Sequence, residues 1–262
     1  MAAMAVPTTD RDRRFLVFIG LVLVAVALGF KSELVAPGQV WGLGAAVVLL
    51  AVPALFGYLH SDVGMPAVEH FVPVALGAVA IAGLSLIVPE WWKFGIATAT
   101  FGAGFILTGQ LDYWRLRRRE KPGHIVVQEA VMVLALAGAY LVIVTVQLSL
   151  PLRLAWIFTI TLFATFRSFR LMGNPMVPRR ALLFAAFVAQ LVTFFAWAIT
   201  VYIPYQEGLF VAMLVFLWYI NRGIIRHTVE ETLSRNVVIE YGLFALLLVY
   251  LFFSSYQPRT GG

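Results

Sequence analysis

A chain of 262 residues with 61 % apolar and only 12 % charged side chains cannot dress a soluble surface, where charges run near a quarter of the residues. The net charge of +6 would suit nucleic acid on a soluble domain, but in so apolar a chain it belongs beside anionic headgroups. Cysteine is absent, which excludes disulfides, thiolate metal sites and cysteine nucleophiles together.

Apolar runs of about 18 to 25 residues match a hydrocarbon layer of roughly 30 Å at about 1.5 Å per residue. They do not alternate in polarity, as the shorter strands of a membrane barrel would. The expected fold class is all-α: a polytopic transmembrane helical bundle of about nine spans, forming one integral membrane domain over 1–262.

The first span, 15–30, follows Arg11, Arg13 and Arg14. Lys31, Ser32 and Glu33 come next without a small-residue cleavage site, so this span reads as an uncleaved signal anchor. Spans two to five are expected over 39–59, 71–88, 94–114 and 126–148. Spans six to nine follow over 153–171, 181–202, 208–225 and 237–254. Pro53 removes a backbone donor inside the second span and should kink it. Gly42, Gly44, Ala45 and Ala46 on that span suit close helix packing, as do Gly95, Gly102 and Gly104 on the fourth. The eighth has a short uncharged core, which a snorkelling Arg222 at its end accommodates.

Threading the chain this way sorts its cations. Fifteen of nineteen fall on one face: Arg11, Arg13, Arg14; Arg115, Arg117, Arg118, Arg119, Lys121; Arg167, Arg170, Arg179, Arg180; and Arg222, Arg226, Arg235. Only Lys31, Lys93, Arg153 and Arg259 fall on the other. Basic residues are retained in cytoplasmic loops, so the amino terminus is expected inside and the carboxyl terminus outside, in the plasma (cytoplasmic) membrane. Aromatic residues suggest two headgroup girdles. Trp41, Trp91, Trp92, Trp156, Tyr202, Tyr205 and Tyr256 mark outer ends, and Tyr58, Tyr113, Trp114, Trp218, Tyr219 and Tyr241 inner ends.

A repeat is also suggested. Gly64-Met65-Pro66-Ala67-Val68 is echoed by Gly173-Asn174-Pro175-Met176-Val177, and Val126-Val127-Gln128-Glu129 by Val237-Val238-Ile239-Glu240. Both pairs have nearly the same offset, which gives parallel four-span copies over 39–149 and 153–254.

Chemistry is sparser. No ionisable residue lies near the middle of a span, which disfavours pumps and proton-coupled carriers. Gln190, Thr193, Trp197 and Thr200 share one face of span seven, and Thr161, Thr165 and Ser168 one face of span six. Each face suits either a polar groove for an amphiphile or interhelical hydrogen bonds, and the bonds are the simpler reading. The histidines, His60, His70, His124 and His227, all fall at the inner face and are expected to be interfacial and solvated. His227-x-x-Glu230 is a weak candidate metal pair, because a second such pair is missing; no metal and no cofactor are expected.

Guanidinium forks bind phosphate bidentately, so Arg167, Arg170, Arg179 and Arg180 are the expected headgroup site, with Arg222 and Arg226 adding to it. Glu129 and Glu240, each about one turn inside a helix, would orient them. Glycine-loop, nucleophile-elbow and Asp-rich diphosphate motifs are all missing, so an enzyme is not the first reading. The leading expectation is a protein that binds or transports an amphiphile with an anionic headgroup at the cytoplasmic leaflet. Membrane lipids, a partner membrane protein or a homo-oligomer are its expected partners, and nucleic acid is not. Two alternatives stay open: an accessory or structural subunit of a membrane complex, and a membrane enzyme acting on a lipid headgroup.

Overall fold

The computed structural model describes residues 10–31, 40–63, 68–116, 122–146, 148–171, 176–202 and 205–255. Helix α1 is Asp10–Lys31 and α2 Val40–Val63; a 3-10 turn over Val68–Phe71 leads into α3, Val72–Ile87. Then come α4 (Trp91–Leu116), α5 (Pro122–Thr145), α6 (Leu150–Arg170), α7 (Pro178–Tyr202), α8 (Glu207–Val229) and α9 (Arg235–Ser255). Each expected span coincides with one of these nine helices, and no strand occurs among the described residues. Proline opens α3, α5, α6 and α7 (Pro73, Pro122, Pro151 and Pro178), where its missing N–H costs no helical bond.

Six helices, α4 to α9, are long and apolar enough to cross a membrane, which points to a membrane protein. The described apolar stretches of α1 to α3 are shorter: Arg14–Gly29, Ala46–Leu59 and Glu69–Ser85. The repeat motifs 64–67 and 173–175, and the basic residues Arg117, Arg118, Arg119 and Lys121, lie outside the described residues.

The chain divides into two compact units, Met1–Val131 and Met132–Gly262, so the division falls within α5. In the first unit α1 packs on α2 and α4, and α3 packs on the same two helices. Leu16, Leu23, Leu55, Leu59, Phe94 and Phe105 fill this four-helix ring. At the crossing of α1 and α4, a Cβ on Gly102 would stand 3.3 Å from the Gly20 carbonyl oxygen and 2.7 Å from a Val24 methyl. Backbones meet there because a side chain is missing, the close approach expected of the span-four glycines. Gly95, by contrast, has open space around it. At the end of this ring, Lys31 Nζ donates to the carbonyls of Ser85 (2.6 Å) and Val88 (2.7 Å). A cation thus satisfies the last carbonyls of α3, where the helix dipole favours positive charge.

In the second unit α6 packs on α7, α7 on α8 and α8 on α9, while α6 also reaches α8. Helix α9 is held lightly, with only 6 % of its apolar window buried. Its anchor is Tyr241, buried against Gly223 of α8 so closely that a Cβ on Gly223 would lie 2.3 Å from the ring carbon Cζ.

Candidate functional site

The arginine-rich end of the second unit is built from the last turns of α6 and α8 and the first turns of α7 and α9. Three polar positions climb α6 toward it. Tyr140 of α5 and Thr161 share a 2.6 Å hydrogen bond, and the Thr165 hydroxyl donates to the Thr161 carbonyl. Trp218 Nε1 of α8 donates to Thr165 Oγ1 at 2.9 Å, and one turn on Arg222 Nη1 donates to Ser168 Oγ at 2.8 Å. The expected polar face of span six is therefore taken up in holding α5, α6 and α8 together, at about 0.6 kcal/mol per contact.

Arg222 does not snorkel. Its side chain is 3 % exposed, with the guanidinium 4.9 Å from the Trp218 ring centre and 5.4 Å from that of Tyr219. Desolvated cation–π contacts of this kind are worth about 2 kcal/mol, more than an exposed arginine gains at an interface. Tyr219 in turn donates to Glu240 Oε1 at 3.3 Å, so Glu240 stands behind the ring that carries Arg222. Arg167 is buried in the last turn of α6, and Arg170 Nη1 donates to the Met176 carbonyl at 2.8 Å, tying the helix end to the approach of α7. Arg226 Nε lies 3.3 Å from Oε2 of Glu230, the residue that follows α8, and His227 Nδ1 shares a 2.8 Å bond with Thr232. Among the described residues no three His, Asp or Glu side chains converge as metal ligands.

Arg179 and Arg180 differ from the rest. Both are exposed on the first turn of α7, and neither makes an ion pair or a side-chain hydrogen bond among the described residues. Glu129 belongs to the first unit, whereas the other candidate residues all belong to the second.

The first unit holds a polar cluster that the sequence reading did not assemble. His70, in the turn before α3, is 4 % exposed, and Asp112, near the end of α4, is fully buried. His70 Nδ1 lies 3.0 Å from Asp112 Oδ2, although its ring edge is not aimed along that line, so the contact is electrostatic rather than an aligned hydrogen bond. Gln128 Nε2 of α5 donates to Asp112 Oδ1 at 3.0 Å, and Glu69 is buried beside His70 in the chain. Tyr58 and Tyr113 pack 5.3 Å apart at the same helix ends. His70 is thus a core group, and this corrects the expectation of a solvated histidine. The inner aromatic set divides: Tyr58, Tyr113, Trp218 and Tyr241 are buried in helix packing whereas Trp114 is exposed, and Trp91, Trp92, Trp156 and Tyr202 of the outer set are exposed. The available signal was the position of Asp112 and Gln128 just inside their spans, where polar side chains need partners.

The expected polar face of span seven divides. Gln190 is exposed, the Thr193 hydroxyl is buried, Thr200 donates to the Ala196 carbonyl, and Trp197 packs against Phe194 and Tyr202. No protein-family model, curated protein or solved structure matches the chain.

Proposed function

We propose that the chain threads the plasma membrane nine times, amino terminus inside and carboxyl terminus outside, and binds or moves an amphiphile with an anionic headgroup at the cytoplasmic leaflet. Alternating threading requires particular helix ends to meet, and the side-chain contacts within each unit agree with it. Lys31 at the end of α1 meets the end of α3, and Asp112 near the end of α4 meets the starts of α3 and α5. Arg222 near the end of α8 meets Ser168 near the end of α6, and Arg153 at the start of α6 meets Tyr205 before α8.

The observation that carries the headgroup reading is the pair Arg179 and Arg180. Two consecutive exposed guanidinium groups at the end of a membrane-length helix have no ion pair or side-chain hydrogen bond among the described residues. They are the first contacts for a phosphate or carboxylate arriving along the membrane surface. Arg170 holds the chain between α6 and α7, while Arg167 and Arg222 are buried in the helix packing of the same unit.

Native mass spectrometry of the gently extracted protein, with chromatography of the lipid it carries, tests this. One anionic lipid or isoprenoid phosphate per chain, lost in Arg179→Ala/Arg180→Ala, is the expected result. Bulk lipid alone, with a second protein in fixed ratio, would overturn it in favour of an accessory subunit.

A further inference from the structure

Gln190 is the central residue of α7, twelve residues from each end of Pro178–Tyr202. At about 1.5 Å per residue it stands roughly 18 Å from either end, and the hydrocarbon half-thickness is about 15 Å, so its amide lies at the midplane. The short side chain cannot reach a headgroup from there. Yet Gln190 is exposed, and it makes no hydrogen bond among the described residues. An amide facing hydrocarbon with no partner is costly, because lipid tails offer neither donor nor acceptor.

The residues around it form a seam. Leu183, Phe187, Gln190, Phe194, Trp197 and Val201 follow one another by steps of four and three, the period of a left-handed helix pair. Leu183, Phe187 and Phe194 are 71 %, 56 % and 60 % exposed. The opposite face, including Ala181, Ala185, Val188 and Val192, is buried in the helix's own unit. One polar residue in an otherwise apolar seam is the device by which paired helices fix register.

We infer that this seam pairs with the same seam of a second copy, about a two-fold axis along the membrane normal. The amide favours a copy over an unrelated helix because it is self-complementary. It carries two N–H donors and an acceptor, so two Gln190 side chains meeting at one depth each donate to the other. Threading in a common direction puts α7 parallel to its mate, and parallel mates in register place residue 190 opposite residue 190. This inference does not rest on the headgroup reading.

The cysteine-free chain makes the test direct. Full-length protein carrying Phe194→Cys is oxidised in its native membrane, with Leu246→Cys, 66 % exposed on α9, as the control at similar depth. A disulfide-linked dimer from Phe194→Cys alone is expected. Adding Gln190→Leu, which keeps the helix apolar, should weaken dimerisation by about 8-fold, the equivalent of two intramembrane polar contacts. Three outcomes overturn the inference: no dimer, cross-linking to a different polypeptide, or a dimer yield that Gln190→Leu leaves unchanged. Energy transfer between labelled wild-type chains diluted in vesicles gives an independent reading, and a monomer at every protein-to-lipid ratio would also overturn it.

Discussion

Removing the Asp112 carboxylate should unfasten the first unit at a single point. Asp112 is fully buried, accepts a hydrogen bond from Gln128 Nε2 at 3.0 Å and lies 3.0 Å from His70 Nδ1. Asp112→Ala leaves both groups facing a methyl group in low dielectric. Breaking a buried pair from one side costs about 3–5 kcal/mol, most of it the desolvation of what remains. Asp112→Asn keeps the shape, so its oxygen still accepts from Gln128, and the loss should fall to about 1–2 kcal/mol. His70→Leu removes one group facing the buried carboxylate but keeps Gln128 as its donor, and should cost less than Asp112→Ala, about 1–3 kcal/mol. The double change His70→Leu/Asp112→Leu removes the pair but leaves Gln128 Nε2 without its acceptor, so it should cost about 1–3 kcal/mol, less than the two single losses combined. Reversible SDS unfolding in mixed micelles, followed by helical circular dichroism, reads all four. If Asp112→Ala costs under about 1 kcal/mol, or if the single losses simply add in the double variant, the pair does not hold the unit together.

Gly223→Ala drives a methyl into Tyr241, an overpacking cost of about 1–3 kcal/mol set against a helix-propensity gain near 1, so α9 should loosen by up to about 2 kcal/mol. Gly57→Ala, with nothing within 4 Å, should instead gain up to about 1 kcal/mol in the same unfolding assay; equal behaviour of the two would refute the close contact. Trp218→Phe removes the donor to Thr165 and the best ring for Arg222, and should lower stability by about 1–3 kcal/mol with labelling of cysteines placed on α8 rising in step. Hydrogen bonding from Lys93, 2.8 Å away, holds the exposed Glu90 carboxyl below the usual range. Its small stabilising effect is present above the unfolded carboxyl's titration and is lost as pH falls through the lowered folded value. Carboxyl NMR should therefore show Lys93→Ala moving the Glu90 titration upward.

Helix positions were legible because the length of an apolar run is a local property that the hydrocarbon thickness fixes. The faces of α6 were legible as well, since Thr161, Thr165 and Ser168 recur at helical spacing, but nothing local says that Trp218 and Arg222 are their partners. His70 looked solvated because it lies in a turn between spans; its burial depends on Asp112, distant in sequence and invisible to any window. Arg222 looked like a snorkelling cation for the same reason, its aromatic neighbours being assembled by the turn of α8 and the packing on α6. In the arginine-rich end, the sequence pointed to the arginines as a group. It did not divide them into buried Arg167 and Arg222 and exposed Arg179 and Arg180, a division set by helix packing.

The grip of Lys31 on the end of α3 places a time order on biosynthesis. The ammonium group leaves the ribosome 57 residues ahead of Val88, whose carbonyl it finally binds. At translation speeds of about 5–20 residues per second, α1 waits roughly 3–11 seconds before its acceptor exists. In the nine-span threading proposed above, Lys31 must be kept wet at the membrane surface throughout that interval, which holds α1 at one depth while α2 and α3 are threaded. Arrival of the α3 carbonyls then exchanges water for protein and latches the first helix to the third. On that threading, insertion of the first three helices is a sequence with a closing step, and a chain arrested before Ser85 should carry a solvent-accessible Lys31.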